Sequence, residues 1–296
     1  MVTAMPEIVY WYFSFLCFCF GACVGSFLNV CVYRIPQELS VVAPRSYCPH
    51  CKAGIAWYDN VPLLSFLMLR ARCRKCGARI SPRYFLIELL TAVLFLVVWL
   101  KYDQFGGLPL GLAPLHDNRI SLVFIYWLAT GGLLLGTFVD LEHMIIPDRV
   151  TIGGVIAGLI LSTIFPEMHG QSVYYHGLAR SAIGAAVGGG MLWGVAVVGS
   201  WIFKKEAMGM GDVKLLAAIG AFLGWASVLF CIVFSSFVGA IVGVSLVISR
   251  RKAMQSRIPF GPYLALAAQV WMLWGPVIVA WYLNLLLWRG GTGLPV

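Results

Sequence analysis

Four cysteines and a few carboxylates are the residues whose types and spacing point to chemistry. Cys48 and Cys51 stand in YCPHCKAG, and Cys73 and Cys76 in RCRKCGARI; 21 residues separate the two C-x2-C pairs. Paired knuckles of this kind place four thiolates around one tetrahedral metal ion, and zinc suits the donor set. A closed four-sulfur site leaves no coordination position open, so its expected role is structural. A dithiol redox pair is the other reading of C-x2-C. His50 could replace one ligand, but four cysteines already suffice. Cys17, Cys19, Cys23, Cys31 and Cys231 lie in apolar runs and read as small apolar fillers.

The carboxylates stand at the edges of apolar runs, where an ionisable group is costly and therefore a first candidate for function. In GMGDVK, residues 209–214, Asp212 follows Gly209 and Gly211 and opens a new apolar run. The glycines permit unusual backbone angles and close approach of another chain. Lys214 is placed to pair with a charge or to grip an acidic group. Asp212 also reads as a helix N-cap. In GTFVDLEHMIIPDRVT, Asp140 ends an uninterrupted apolar helix, while Glu142 and His143 lie in a polar turn. Asp148 follows Pro147 and reads first as an N-cap. If two aspartates share a proton, one serves as general base for water and the other donates to the scissile carbonyl. That is aspartic-protease chemistry. The chain has no nucleophile elbow, P-loop or H-E-x-x-H to compete with it.

These groups must be positioned by membrane helices. Of 296 residues, 60% are hydrophobic and 11% charged, and the mean hydropathy is +0.87. So few charges cannot make a water-facing surface. The expected fold is an all-α polytopic membrane protein of about eight transmembrane helices with a small cytoplasmic zinc-binding insert. The spacing predicts spans at 9–33, 84–100, 119–139, 150–165, 179–203, 213–224, 226–248 and 262–288. The sixth is short for a bilayer. The expected domains are a first transmembrane helix (1–33), a tetracysteine domain (34–83) and a membrane domain (84–296).

Charge sets the expected sidedness. Residues 34–83 hold nine Lys/Arg against Glu38 and Asp59. Such a patch suits nucleic acid or the cytoplasmic flank of membrane spans, and its position between spans favours the second. With the N-terminus outside, 17 Lys/Arg fall on cytoplasmic segments and 4 on outer ones. Asp140 and Asp212 then lie at the cytoplasmic face. The first run lacks a basic start, so it reads as a span and not a cleavable signal. A transporter using Asp140, Asp212 and Lys214 as a relay is a competing class, but its site would lie near the midplane.

In order and interval, several stretches resemble the type IV prepilin peptidases, relatives of the G-x-G-D membrane aspartyl proteases. They are GSFLNVCVYRIP (25–36), the paired C-x2-C, RYFLIELLTA (83–92), DLEHMIIPD (140–148), GMGDVKLLAAIGAFLG (209–224) and IPFGPYLALA (258–267). The resemblance implies a bacterial inner-membrane enzyme that cuts the basic leader from prepilins and pseudopilins on the cytoplasmic side. It also implies methylation of the new N-terminal residue with S-adenosylmethionine. Asp140 and Asp212 fall on the family's catalytic aspartates, and the four cysteines on its zinc domain. Gly209, Gly211, Lys214, Glu142 and Asp148 are supporting candidates. No G-x-G-x-x-G loop marks the methyl-donor site; Gly25, Ser26, Asn29, Arg34 and Glu88 are its candidates, although Gly25 and Ser26 equally suit helix packing. The expected partners are pilin-type substrates and the bilayer, not nucleic acid.

Overall fold

The structure, a computed structural model, describes residues 7–102, 119–204, 208–249 and 259–289. They form two compact units, one of residues 7–102 and 119–154 and one from 155 onward.

The first unit begins with α1 (Glu7–Arg34). The insert follows, with only a short helix, α2 (Leu64–Met68), and the isolated bridges Tyr47–Gly54 and Arg72–Arg79. Then come α3 (Pro82–Tyr102) and α4 (Arg119–His143). α1 and α3 approach through Gly21 and Gly25, one turn apart. A Cβ on Gly21 would lie 2.8 Å from the Ala92 Cα, and one on Gly25 2.7 Å from the Glu88 Cα. No side chain fits there, so Gly25 is a packing residue of the small-xxx-small kind. Leu28, Ile87 and Leu134 join α1, α3 and α4 in one apolar cluster. Indole N–H groups add fixed points: Trp99 donates to Ser14 Oγ at 3.0 Å and Trp127 to the Phe95 carbonyl at 2.9 Å.

α5 (Asp148–Ile164) begins in the first unit and continues in the second. A 3-10 turn (Pro166–His169), α6 (Tyr174–Phe203), α7 (Met210–Leu223), α8 (Trp225–Ile248) and α9 (Gly261–Arg289) complete the second unit. α6 and α7 meet almost backbone to backbone. A Cβ on Gly184 would collide with the Gly220 carbonyl, and one on Gly188 with the Leu216 carbonyl. The Ser181 hydroxyl donates to the Ala221 carbonyl across this seam at 2.8 Å. Large apolar side chains such as Val233 and Phe237 stay exposed, as a lipid-facing surface requires.

A helix occupies each of the eight predicted positions, but among the described residues six helices, not eight, are long and apolar enough to cross a membrane. α5 has 17 residues and α7 has 14. At 1.5 Å per residue they reach about 25 and 21 Å, short of a hydrocarbon core of about 30 Å. The shortening has local causes. Pro147 starts α5 by accepting from the Thr151 N–H at 3.2 Å, and Gly224, at φ 81°, ends α7. The chain is thus an all-helical multi-pass membrane protein with a cysteine insert. Parts of the predicted loops 101–119, 204–214 and 249–258, and the C-terminal tail, lie outside the described residues.

Candidate functional site

The two C-x2-C knuckles fold alike. The Cys48 N–H donates to the Ala53 carbonyl at 2.9 Å, and the Cys73 N–H to the Ala78 carbonyl at 2.8 Å. The residue after each second cysteine is left-handed: Lys52 at φ 57° and Gly77 at φ 69°. Glycine takes this angle without strain, whereas Lys52 is held there by its N–H bond to the Cys48 carbonyl, 2.9 Å. The four Sγ atoms of Cys48, Cys51, Cys73 and Cys76 lie within 4.8 Å of one another, with Cys48 and Cys76 at 3.8 Å. A tetrahedron with Zn–S bonds of about 2.3 Å has edges near 3.8 Å, so the donor set fits zinc. His50 is exposed and the four sulfurs need no fifth ligand.

The thiols are not electrically equivalent. Backbone N–H groups of Cys76 and Lys75 pull the Cys73 thiol down to about 6. The Ala78 N–H pulls Cys76 the same way, but loss of water and three neighbouring sulfurs push it up to about 11. Ionised sulfur on Cys73 is stabilised by its neighbours' donors, as a preformed thiolate site requires. The side chains of Arg72, Arg74 and Lys75 flank Cys73 in sequence, but the main donors are backbone groups. Arg74 instead grips Asp59, with Nη2–Oδ1 at 2.6 Å, which holds the Asp59 carboxyl low.

The insert is tied to the helices by buried polar groups. Arg34, 7% exposed, donates to the carbonyls of Ser40 at 2.8 Å and Pro44 at 2.7 Å. These bonds commit it to shaping the loop. Glu88 Oε2 accepts from the Leu63 N–H at 2.7 Å and the carboxylate also accepts from Ser26. Asn29 Nδ2 donates to the carbonyls of Gly25 at 3.3 Å and Tyr84 at 3.1 Å. Ser26, Asn29, Arg34 and Glu88 all line one cleft; Gly25 packs behind it.

Of the aspartates, Asp140 is 5% exposed, in the last turn of α4, and its carbonyl accepts from Met144 at 2.9 Å. Burial distinguishes it from its neighbours. Glu142 is ion-paired with Arg83 at the start of α3 and lies 3.9 Å from His143. Asp148 is the first residue of α5 and exposed, so it complements the helix dipole and is not the cap itself.

Asp212 belongs to the second unit. It is half-buried and is the third residue of α7, whose N-cap is Gly209; Asp212 is therefore not the N-cap. Its N–H donates to the Gly209 carbonyl at 3.2 Å, and its Oδ2 would lie 3.7 Å from a Cβ on Gly209. Gly209 has ordinary extended angles, φ −72° and ψ 139°. Its missing side chain keeps the carboxylate uncovered; its angular freedom is unused. Gly211 and Lys214, both half-buried, lie in the same helix start. Sequence reasoning missed Arg83 and the cleft aromatics Trp57 and Tyr58, because nothing in their local spacing marks a tertiary wall.

Two family signatures match the chain: Bacterial Peptidase A24 N-terminal domain over residues 19–102, and Type IV leader peptidase family over residues 122–244. A prepilin leader peptidase/N-methyltransferase of Aeromonas salmonicida is 36% identical across 97% of this chain and 100% of its own length. The Aeromonas hydrophila protein of the same name is 38% identical, covering 93% of this chain and 95% of its own. A third, from Legionella pneumophila, is 34% identical, covering 96% and 99%. No solved structure shows a significant match. The match runs through both units and both cysteine knuckles, and the chain belongs to the type IV leader peptidase family.

Proposed function

We propose that the chain is a prepilin leader peptidase and N-methyltransferase of the bacterial inner membrane. It removes the basic leader of prepilins or pseudopilins at the cytoplasmic face and then methylates the new N-terminus. The observation that carries the peptidase half is the pair of aspartates at helix ends: Asp140 buried in the last turn of α4, and Asp212 in the first turn of α7. A prepilin leader is basic and the segment after it is apolar, so the scissile bond sits where a span meets water. A carboxylate in the last turn of the spanning helix α4 and one at the start of the short helix α7 suit that depth.

In this reading the two aspartates act on one water. Asp212, in the first turn of α7, stands at the positive end of the helix dipole, which favours its anion, so it serves as base. Asp140 donates its proton to the scissile carbonyl oxygen, stabilising the tetrahedral intermediate. Gly209 and Gly211 leave room for an extended substrate strand beside Asp212, and Lys214 steadies the site's charge. Glu142 holds Arg83, and Asp148 anchors the start of α5; neither is assigned to the chemistry. Cys48, Cys51, Cys73 and Cys76 would hold one zinc ion, which folds the insert and offers no open position to substrate. S-adenosylmethionine supplies the methyl group. Residues 34–83 form the zinc domain, between an N-terminal segment (1–33) that carries most of α1 and the membrane domain (84–296).

The test is intact-mass spectrometry of a prepilin incubated with the wild type, Asp140→Asn and Asp212→Asn, with S-adenosylmethionine present. Each variant is expected to lower cleavage by about 10²–10⁴-fold, the contribution of a positioned acid or base. Methyl addition to a pre-cut pilin is read separately. Cleavage at the wild-type rate by either variant would remove that aspartate from the mechanism and turn attention to Glu142 or Asp148.

A further inference from the structure

Between the cysteine insert and the neighbouring ends of α1 and α3, the first unit contains a cleft of about 1140 Å³. Small-molecule sites usually occupy roughly 300–1,000 Å³, so this one has room for a nucleoside-sized molecule and the end of a peptide. Its wall carries two carboxylates, Asp59 and Glu88. Arg74 neutralises Asp59. Glu88, only 8% exposed, has no cationic partner among the described residues. Its bonds from the Leu63 N–H and the Ser26 hydroxyl are neutral donors. A buried carboxylate without a counter-charge is costly, and a cationic ligand would offset that cost.

Three further features point to a ligand. Leu63 stands at φ 61° and ψ −50°, and the Leu64 N–H donates back to the Pro62 carbonyl at 2.6 Å. This is the strained form of γ-turn, held in place by the Leu63 N–H bond to Glu88. Asn29, also on the wall, leaves its Oδ1 buried and without a hydrogen-bond partner. Tyr33, Trp57 and Tyr58 line the cleft, with Trp57 83% exposed. Flat aromatic faces accept a purine or a cation. Arg83, on the same wall, is ion-paired with Glu142, two residues beyond Asp140, so the cleft borders the α4 end.

We infer that this cleft is the methyl-donor site and that Glu88 is the carboxylate facing the donor's sulfonium. The inference rests on the N-methyltransferase reading above. In the reaction, the new N-terminal ammonium first releases one proton to water. The amine lone pair then attacks the methyl carbon. The carbon–sulfur bond breaks with its electron pair going to sulfur, leaving a methylated ammonium and neutral S-adenosylhomocysteine. Positive charge moves from sulfur to nitrogen, and one carboxylate beside both atoms faces it throughout.

The experiment is isothermal titration of the full chain in detergent with S-adenosylmethionine and, separately, S-adenosylhomocysteine. Glu88→Gln keeps an acceptor for the Leu63 N–H and removes only the charge; Ser26→Phe fills the cleft. Zinc content and melting temperature report folding. Glu88→Gln is expected to weaken S-adenosylmethionine by about tenfold, a desolvated charge-pair effect, and the uncharged-sulfur product far less. Ser26→Phe, if folded, is expected to abolish both. An unchanged affinity in Glu88→Gln, or an equal loss for both probes, would overturn the assignment of Glu88. Normal binding by Ser26→Phe would overturn the cleft itself. A wild type that binds neither probe and leaves a pre-cut pilin unmethylated would remove the methyltransferase reading, and this inference with it.

Discussion

The two units hold their candidate groups by opposite physical means. In the first, long polar side chains reach across gaps: Arg34 to the Ser40 and Pro44 carbonyls, Glu88 to the Leu63 N–H, Arg83 to Glu142. Between them lies a largely apolar cleft in which Asn29 and Glu88 are buried polar groups. In the second, the α6–α7 seam leaves no room for a side chain at its glycines, and Gly184 and Gly188 face the carbonyls of Gly220 and Leu216 directly. A metal domain and a ligand cleft need reach and polarity. A carboxylate at the start of a short helix needs a rigid backbone behind it. The first unit should therefore fail when a polar partner or ligand is removed, and the second when an atom is added.

The largest separation of the two is expected from Cys48→Ser. Structural zinc contributes on the order of 10 kcal/mol to folding of small metal domains. Zinc content measured on the purified chain should fall from one equivalent to near zero, and the insert should lose protection from protease. The helices of the second unit should stay protected. Digestion of both units together would mean that the insert also supports the second unit and that the two are not held by independent means.

Next in size is Gly184→Val. Its added carbons collide with backbone at Gly220, so the helices must separate. Such overpacking against a carbonyl should cost more than about 3 kcal/mol, read as a lowered melting temperature. Gly190→Ala, in the same helix, is the control, since a Cβ there meets nothing within 4 Å. Its melting temperature should be unchanged. Equal losses in both would show that helix flexibility, not the seam, is what those glycines provide.

Which of these features the sequence shows depends on their range. Apolar runs and the C-x2-C pairs are local, so eight helix positions and a four-cysteine cluster are legible from spacing alone. Asp140 and Asp212 stand out because charge is costly beside an apolar run. Their exact helix positions do not follow: the start of α7 moves to Met210 because Gly209 takes the cap, which leaves Asp212 third in the helix. The short reach of α5 and α7 is legible only for α7. The cleft is not legible, since Ser26 and Glu88 meet only when α1 and α3 pack. Nor is the pairing of Gly184 with Gly220, because glycine-rich membrane helices offer many possible partners.

The smallest effect concerns the far end of the same seam. The Ala221 carbonyl, in the last turn of α7, has no intrahelical donor of its own and takes bonds from Ser181 and His169. The other side of the His169 ring meets Ser162 Oγ, Nε2 to Oγ 3.0 Å. Burial, reinforced by the charge of Arg180, outweighs the Ala221 bond and pulls His169 down to about 4 from an ordinary 6.5. The sign follows from proton uptake. Between pH 6.5 and 4 the unfolded chain binds a proton at this histidine and the folded chain does not, so stability is full above pH 6.5 and falls as pH drops. At 1.36 kcal/mol per unit the loss reaches about 3 kcal/mol at pH 4. The measurement is the difference in melting temperature between wild type and His169→Gln across pH 7 to 4. Glutamine does not titrate, so the wild type should lose more stability on acidification. Parallel curves would mean that the folded state takes up the proton as readily as the unfolded one. The histidine would then cap α7 as an imidazolium, donating from both nitrogens, and the rigidity assigned to the second unit would not depend on a dry, neutral ring at this end.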